Sequence, residues 1–198
     1  MASSAPLDVK TLDELVKALL VLSRAVNHVL ETRAVEEAVG EPLSSSKVQI
    51  LRLLAQRGGQ SSSRVAFFLG VSKPAVSQII GSMVRDELVM RQTSKHDRRE
   101  VELRLTAKGK EWYQALRRQQ RHLLRTAVRK HLEGPPERWI DALQQVASAV
   151  VQADKAFEDY CLQCGAHTDG SCLLLGKDTD CPFLKRARPT RSAQRRRS

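Results

Sequence analysis

Apolar residues recur at three- and four-residue steps along the first part of the chain, at Leu12, Leu15, Val16, Leu19, Leu22, Val26, Val29 and Leu30. That spacing paints one apolar stripe on a helix of about thirty residues, which Gly40 and Pro42 bring to an end. A shorter helix follows in "PLSSSKVQILRLLAQRGG", with Val48, Ile50, Leu51 and Leu54 on its buried side and Gly58 and Gly59 as its stop. "SSSRVAFFLG" supplies a third, capped by Ser61 and terminated by Gly70.

In "VSKPAVSQIIGSMVRDELV", Ser72 can cap the amides ahead of it, Pro74 is tolerated in the first turn, and Val76, Ile79, Ile80 and Met83 form a buried face. Two short helices joined by a Gly-containing turn make a helix-turn-helix. After it the period changes to two. "LVMRQTSKHDRREVELRLT" alternates apolar and polar residues at Val101, Leu103 and Leu105 around the charged run "SKHDRR", which predicts a β-hairpin placed as a wing. Two long helical patterns follow, one on Trp112, Leu116, Leu123, Leu124, Val128 and Leu132, the other on Trp139, Leu143, Val146, Val150 and Phe157, with Gly134, Pro135 and Pro136 between them. The fold class expected is mainly α with a small β-wing.

A recognition helix laid in the major groove presents its early polar residues to base edges. Here those are Lys73, Ala75, Ser77 and Gln78 beside the capping Ser72, with Ser82 one turn further. Gln78 can pair bidentately with adenine, and Lys73 can reach guanine or phosphate. The first and last long helices each carry an apolar stripe broader than one small domain can cover, so they need a partner.

From Leu43 to Gly109 the stretches "VQILRLLA", "VAFFLGVSKPAVSQII", "DELVMR" and "DRREVELRLTAKG" follow the order and spacing of the MarR family of bacterial transcriptional regulators, which the chain resembles. Glu87 stands where that family usually has a glycine. The resemblance implies a DNA-binding regulator, expected to repress rather than to catalyse. It implies, too, a two-fold homodimer whose recognition helices would sit ~34 Å apart on a pseudo-palindromic operator. It also implies that Arg99 enters the minor groove with Asp97 orienting it, while Lys95 and Arg98 contact phosphate. The expected organisation is an N-terminal dimerisation helix (1–42), a winged helix-turn-helix (43–109), C-terminal dimerisation helices (110–159), a cysteine-rich metal-binding module (160–183) and a disordered basic tail (184–198).

Composition and charge then add three points. The chain has 198 residues and a formal net charge of +11, from 33 Lys and Arg against 22 Asp and Glu, which favours an anionic partner. Seven of the positives follow Cys181 with no acid among them, so +4 belongs to the remainder and charge alone identifies no binding face. The start "MASSAPLDVKTLDELVK" lacks the basic-then-apolar pattern of a secretory signal and no run is long enough to span a membrane, so a soluble, cytoplasmic protein with no membrane partner is expected.

Finally, Cys161, Cys164, Cys172 and Cys181 are the only cysteines and follow C-x2-C-x7-C-x8-C. Four thiolates fit one tetrahedral zinc site or one [4Fe–4S] cluster. Pro182 after the last cysteine points to iron–sulfur, the "CLQCG" turn points to zinc, and a thiol switch is the third alternative. His167 is a spare ligand candidate. Two readings of regulation stand side by side: the cysteine module controls DNA affinity, or a small apolar or aromatic molecule does so and the metal is structural. A redox carrier is the remaining class, disfavoured because no Gly-rich dinucleotide turn is present.

Overall fold

The computed structural model describes residues 8–94, 100–153, 171–172 and 176–180. Its chain begins as a helix in three sections, α1 (Val9–Ala25), a π-helical segment (Val26–Arg33) and α2 (Ala34–Val39), followed by α3 (Ser45–Arg57), α4 (Ser62–Leu69) and α5 (Lys73–Arg85). Strands β1 (Val89–Thr93) and β2 (Val101–Leu105) form an antiparallel hairpin, and two long helices, α6 (Ala107–His131) and α7 (Pro136–Gln152), follow. The fold is mainly helical with a small wing, as the periodicity predicts.

Local chemistry sets the boundaries. Gly40, with φ of 77°, ends the first helix in the left-handed conformation that a residue without Cβ adopts cheaply. Ser44, Ser61, Ser72 and Thr106 each accept a hydrogen bond from the amide three residues on, capping α3, α4, α5 and α6. Pro136 is the first residue of α7, where its missing N–H costs nothing.

The main core lies between α3, α4, α5 and the hairpin, where Ile50, Leu51, Leu53, Phe68, Ile80, Met83, Leu88 and Leu103 are all fully buried. A second, smaller cluster of Ala34, Val35, Val48 and Leu116 lies where α2 and α6 close over α3. A polar seam joins the same parts. Arg52 Nη2 meets Glu31 Oε1 at 2.7 Å, and buried Gln120 donates through Nε2 to the Leu30 carbonyl at 2.8 Å. Sequence periodicity predicts one long N-terminal helix and does not predict its π-helical middle, where the Thr32 hydroxyl donates to the Asn27 carbonyl five residues back.

Near the far end, Ser171–Cys172 (β3) and Gly176–Asp180 (β4) form a short antiparallel ladder that sequence reading does not anticipate, since "GKDTD" has no apolar alternation. Among the described residues no single helix is long and apolar enough to cross a membrane.

Glu87, between α5 and β1, has φ of 60° and is the one non-glycine residue with positive φ among the described residues. Its turn is locked on both sides: the Thr106 hydroxyl donates to the Glu87 carbonyl, and Thr106 N donates to the Leu88 carbonyl at 3.1 Å. Gly109 packs against that same Leu88 carbonyl so closely that a Cβ would overlap it. Glu87→Gly is expected to stabilise the fold by ~1 kcal/mol, because the left-handed Cβ penalty exceeds glycine's entropy cost. Gly109→Ala is expected to destabilise it by about 1–3 kcal/mol through overpacking. Urea midpoints that move the other way would show that the turn relaxes elsewhere.

Candidate nucleic-acid interface

The helix-turn-helix is built from α4 and α5. Gly70 closes α4 with φ of 65°, Ser72 caps α5 through its acceptance of Ala75 N, and the two helices are inclined by 109°. That angle falls within the range of DNA-binding pairs. Val76, Ile80 and Met83 fill the core side of α5, which orients the opposite side outward. Lys73, Ser77 and Gln78 are exposed on it, and Ala75 is half-buried. Ser72 is exposed but its hydroxyl is occupied as the cap.

Ser82 stands differently. It is half-buried and its hydroxyl donates to Asp86 Oδ2 at 3.3 Å, one turn later on the same helix. Asp86 also accepts from Lys47 Nζ at 2.7 Å, while its carbonyl accepts from Lys108 Nζ at 2.9 Å. One residue at the end of α5 thus ties in the first turns of α3 and α6. These contacts join residues far apart in sequence, so no local pattern announces them.

The wing is fixed at its stem. β1 and β2 pair in register from Val89 opposite Leu105 to Thr93 opposite Val101. Gln60, between α3 and α4, adds a third edge by exchanging backbone hydrogen bonds with Leu103 at 3.1 and 2.8 Å. Above this ladder the Ser94 hydroxyl donates to Glu102 Oε1 at 2.7 Å, and Arg104 Nη2 donates to Glu102 Oε2 at 2.8 Å. Gly59 leaves room for this pair, since a Cβ there would collide with the Glu102 carboxylate. The wing therefore leaves the domain in one direction. Lys95, Asp97, Arg98 and Arg99 at its tip lie outside the described residues.

A separate cleft of about 520 Å³ opens between the π-helical segment and α6. Val26, Val29, Leu30, Leu123 and Leu124 form its apolar lining, and His122, Lys130 and His131 bring polar groups to it. The sequence gives no marker for it, because its two walls are about a hundred residues apart. Of the four cysteines, Cys172 lies in β3, while Cys161, Cys164 and Cys181 lie outside the described residues, as do Phe157, His167 and the basic tail.

The hydrogen bond from Lys47 is the main reason the Asp86 carboxyl is held below its ordinary value, with a lesser contribution from Ser82. A carboxyl lowered in the folded state contributes stability above pH ~4, and that stability is lost as pH falls through the lowered value. Asp86 is 42% exposed, so solvent screening keeps the contribution under about 1 kcal/mol. Stability measured from neutral pH to about pH 3 should accordingly decline less steeply in Asp86→Asn than in the parent chain. Identical acid-side slopes would remove the Lys47–Asp86 pair from the account.

Residues 43–101 match the MarR family. Over 99 residues the chain is 32% identical to the HTH-type transcriptional repressor YetL of Bacillus subtilis (strain 168), an alignment covering 49% of this chain and 57% of that protein. The chain thus spans little more than half of that relative's length. Among solved structures it is similar to RV1404 from Mycobacterium tuberculosis, at a TM-score of 0.59 and 20% identity over 69% of this chain and 94% of that one. It is also similar to Staphylococcus aureus MarR in complex with salicylate and kanamycin, at a TM-score of 0.58 and 18% identity over 74% and 96% of the two chains. At such identities the structures speak to the fold alone, a winged helix flanked by long helices.

Proposed function

Given a MarR-type winged helix-turn-helix over residues 43–101, we propose that this protein is a homodimeric transcriptional regulator that reads duplex DNA through α5 and the wing. The observation that carries this reading is the first two turns of α5: Lys73, Ser77 and Gln78 exposed on a capped helix whose other face is buried. Two short helices inclined by 109° across a three-residue turn have the geometry with which such pairs set the second helix into the major groove. Similarity to a repressor favours repression as the outcome of binding.

Exposed apolar side chains support the dimer. Leu12, Leu15, Val16, Leu20, Val21 and Leu22 on α1, and Ile140, Leu143 and Val150 on α7, are each more than 40% exposed, and a second copy would cover them. Within such a dimer each subunit offers one recognition helix to successive major grooves and one wing to the adjoining minor groove.

Gln78→Ala is expected to weaken binding to a duplex selected from random sequences by ~1–3 kcal/mol and to relax preference at one base pair. Arg99→Ala should weaken it more than Arg98→Ala, because a minor-groove guanidinium is desolvated whereas a phosphate contact is not. Equal losses at the two arginines would place the wrong one in the groove. Sedimentation of the same sample as a monomer at micromolar concentration would overturn the dimer.

We propose further that Cys161, Cys164, Cys172 and Cys181 hold one metal centre, a [4Fe–4S] cluster or zinc, whose binding supplies the folding free energy of a segment poor in apolar residues. Following α7 in sequence, such a centre would bias the angle between subunits and so the spacing of their recognition helices. Anaerobically purified protein is expected to absorb near ~400 nm if iron occupies the site, and stripping the metal should lower affinity for the selected duplex. Unchanged affinity would reduce the module to a structural role.

The cleft between the π-helical segment and α6 supports a second reading of regulation. Its 520 Å³ suits a small aromatic molecule, and its His122, Lys130 and His131 suit one bearing an acid group. A MarR of similar fold is known in complex with salicylate. Weaker DNA binding with salicylate added, lost in a Leu30→Trp variant that fills the cleft, would assign the sensor there; salicylate without effect on the parent chain would argue against it.

A further inference from the structure

Helix α6 is far more basic than its packing requires. It holds Lys108, Lys110, Arg117, Arg118, Arg121, Arg125, Arg129 and Lys130 against the single acid Glu111. At 3.6 residues per turn, Lys110, Gln114, Arg118, Arg121, Arg125 and Arg129 fall along one side. The residues that α6 buries, Gly109, Leu116 and Gln120, fall on the other. Arg118, Arg121, Arg125 and Arg129 are all exposed, and none of them makes an ion pair or hydrogen bond among the described residues.

A solvated helix face explains exposure but not this arrangement. Arg121 and Arg125, and again Arg125 and Arg129, stand four residues apart, where like charges weaken a helix instead of supporting it. The helix dipole accounts for Arg129 in the last turn and for none of those in the middle. The cations of the ridge beyond Lys110 are all arginine, whose planar fork pairs bidentately with phosphate, and none is lysine. From Arg118 to Arg129 the ridge extends ~17 Å, the axial length of about five base pairs of duplex. It also lies on a helix that packs mainly against α2, α3 and β2 and reaches the end of α5 through Lys108 in its first turn.

We propose that this arginine ridge is a second, sequence-blind DNA surface that grips the backbone of a duplex segment other than the one held by α5 and the wing. The protein then bridges two stretches of DNA. Attraction of this kind is electrostatic and falls steeply with salt.

The test uses the full chain and two duplexes. A duplex selected for tight binding is tethered to beads and loaded with protein, and a fluorescent duplex of unrelated sequence, roughly 30 base pairs long, is offered to it. Arg118→Ala, Arg121→Ala, Arg125→Ala and Arg129→Ala combined should load the tethered duplex within a factor of ~2 of the parent chain. The same variant should capture the second duplex at least ~10-fold less, with a salt slope shallower by about 3–4. Alanine is the best helix former, so the variant should melt no earlier than the parent. A second variant, Arg121→Glu with Arg125→Glu, adds attractive pairs with Arg118 and Arg129, keeps one like-charge pair four residues apart as in the parent, and should capture no more than the first. Unchanged capture in both variants overturns the proposal and leaves the basic tail as the bridge. Equal loss of loading and capture overturns it by assigning the ridge to the first duplex. Capture of labelled polyglutamate in preference to DNA overturns it in favour of an acidic protein partner. A parent chain that loads no tethered duplex at all fails the reading of α5 instead, which is a separate result.

Discussion

Gly70 adopts the left-handed conformation that stops α4, and two residues later the Ser72 hydroxyl accepts from Ala75 N to start α5, so the chain redirects itself by 109° within a three-residue turn. The placement of the winged domain's other elements depends on that turn. It delivers Val76, Ile80 and Met83 into a core already formed by α3 and α4, and it leaves the first polar residues of α5 on the outside. A residue with Cβ at position 70 would bear left-handed strain at the point where α4 must stop. The proposed DNA surface is thus a by-product of how two short helices bury their apolar sides.

Much of this was legible in the sequence because it is local. Capping serines, terminating glycines and three-four periodicity act over a few residues, and Ser61, Gly70, Ser72 and Gly40 all serve as that reading expects. Of the alternating Val101, Leu103 and Leu105, the last two are buried on the wing's inner side, whereas Val101, at the outer end of the ladder, is exposed. The sequence did not reveal what depends on distant partners. Ser82 reads as a candidate base contact, yet its hydroxyl faces Asp86, whose other partner lies 39 residues away at Lys47. The Ser94–Glu102–Arg104 chain and the close approach of Gly59 belong to the same class. Glu87 is a mixed case. Its place in a family glycine's position is visible in the sequence, whereas the Thr106 contact that holds its carbonyl is not.

Two differently built joints hold the molecule together. The winged domain closes on itself through a large apolar core, while its junction with the N-terminal helix combines a small cluster around Val35 and Leu116 with polar links at Glu31–Arg52 and Gln120–Leu30. Polar links of this kind are directional, so they fix the angle between the parts they join, which a large apolar core does less strictly. The cleft beside Val29 and Leu30 lies at this second joint. A molecule bound there would act on the contacts that relate the winged domain to the long helices.

The π-helical stretch Val26–Arg33 has a consequence for geometry as well as packing. Before it, Leu12, Leu15 and Val16 face solvent; after it, Ala34 and Val35 face the interior. Its wider winding changes the rotational phase along one continuous rod, whose first section buries no residue among the described ones and whose last section packs on α6. Each residue of an ordinary helix advances the azimuth by ~100°, so the number of residues in this stretch sets the dihedral orientation at which α1 leaves the body of the molecule. One insertion or deletion ahead of Leu30 would therefore retune the aim of that helix while sparing the Leu30–Gln120 and Glu31–Arg52 links that follow it.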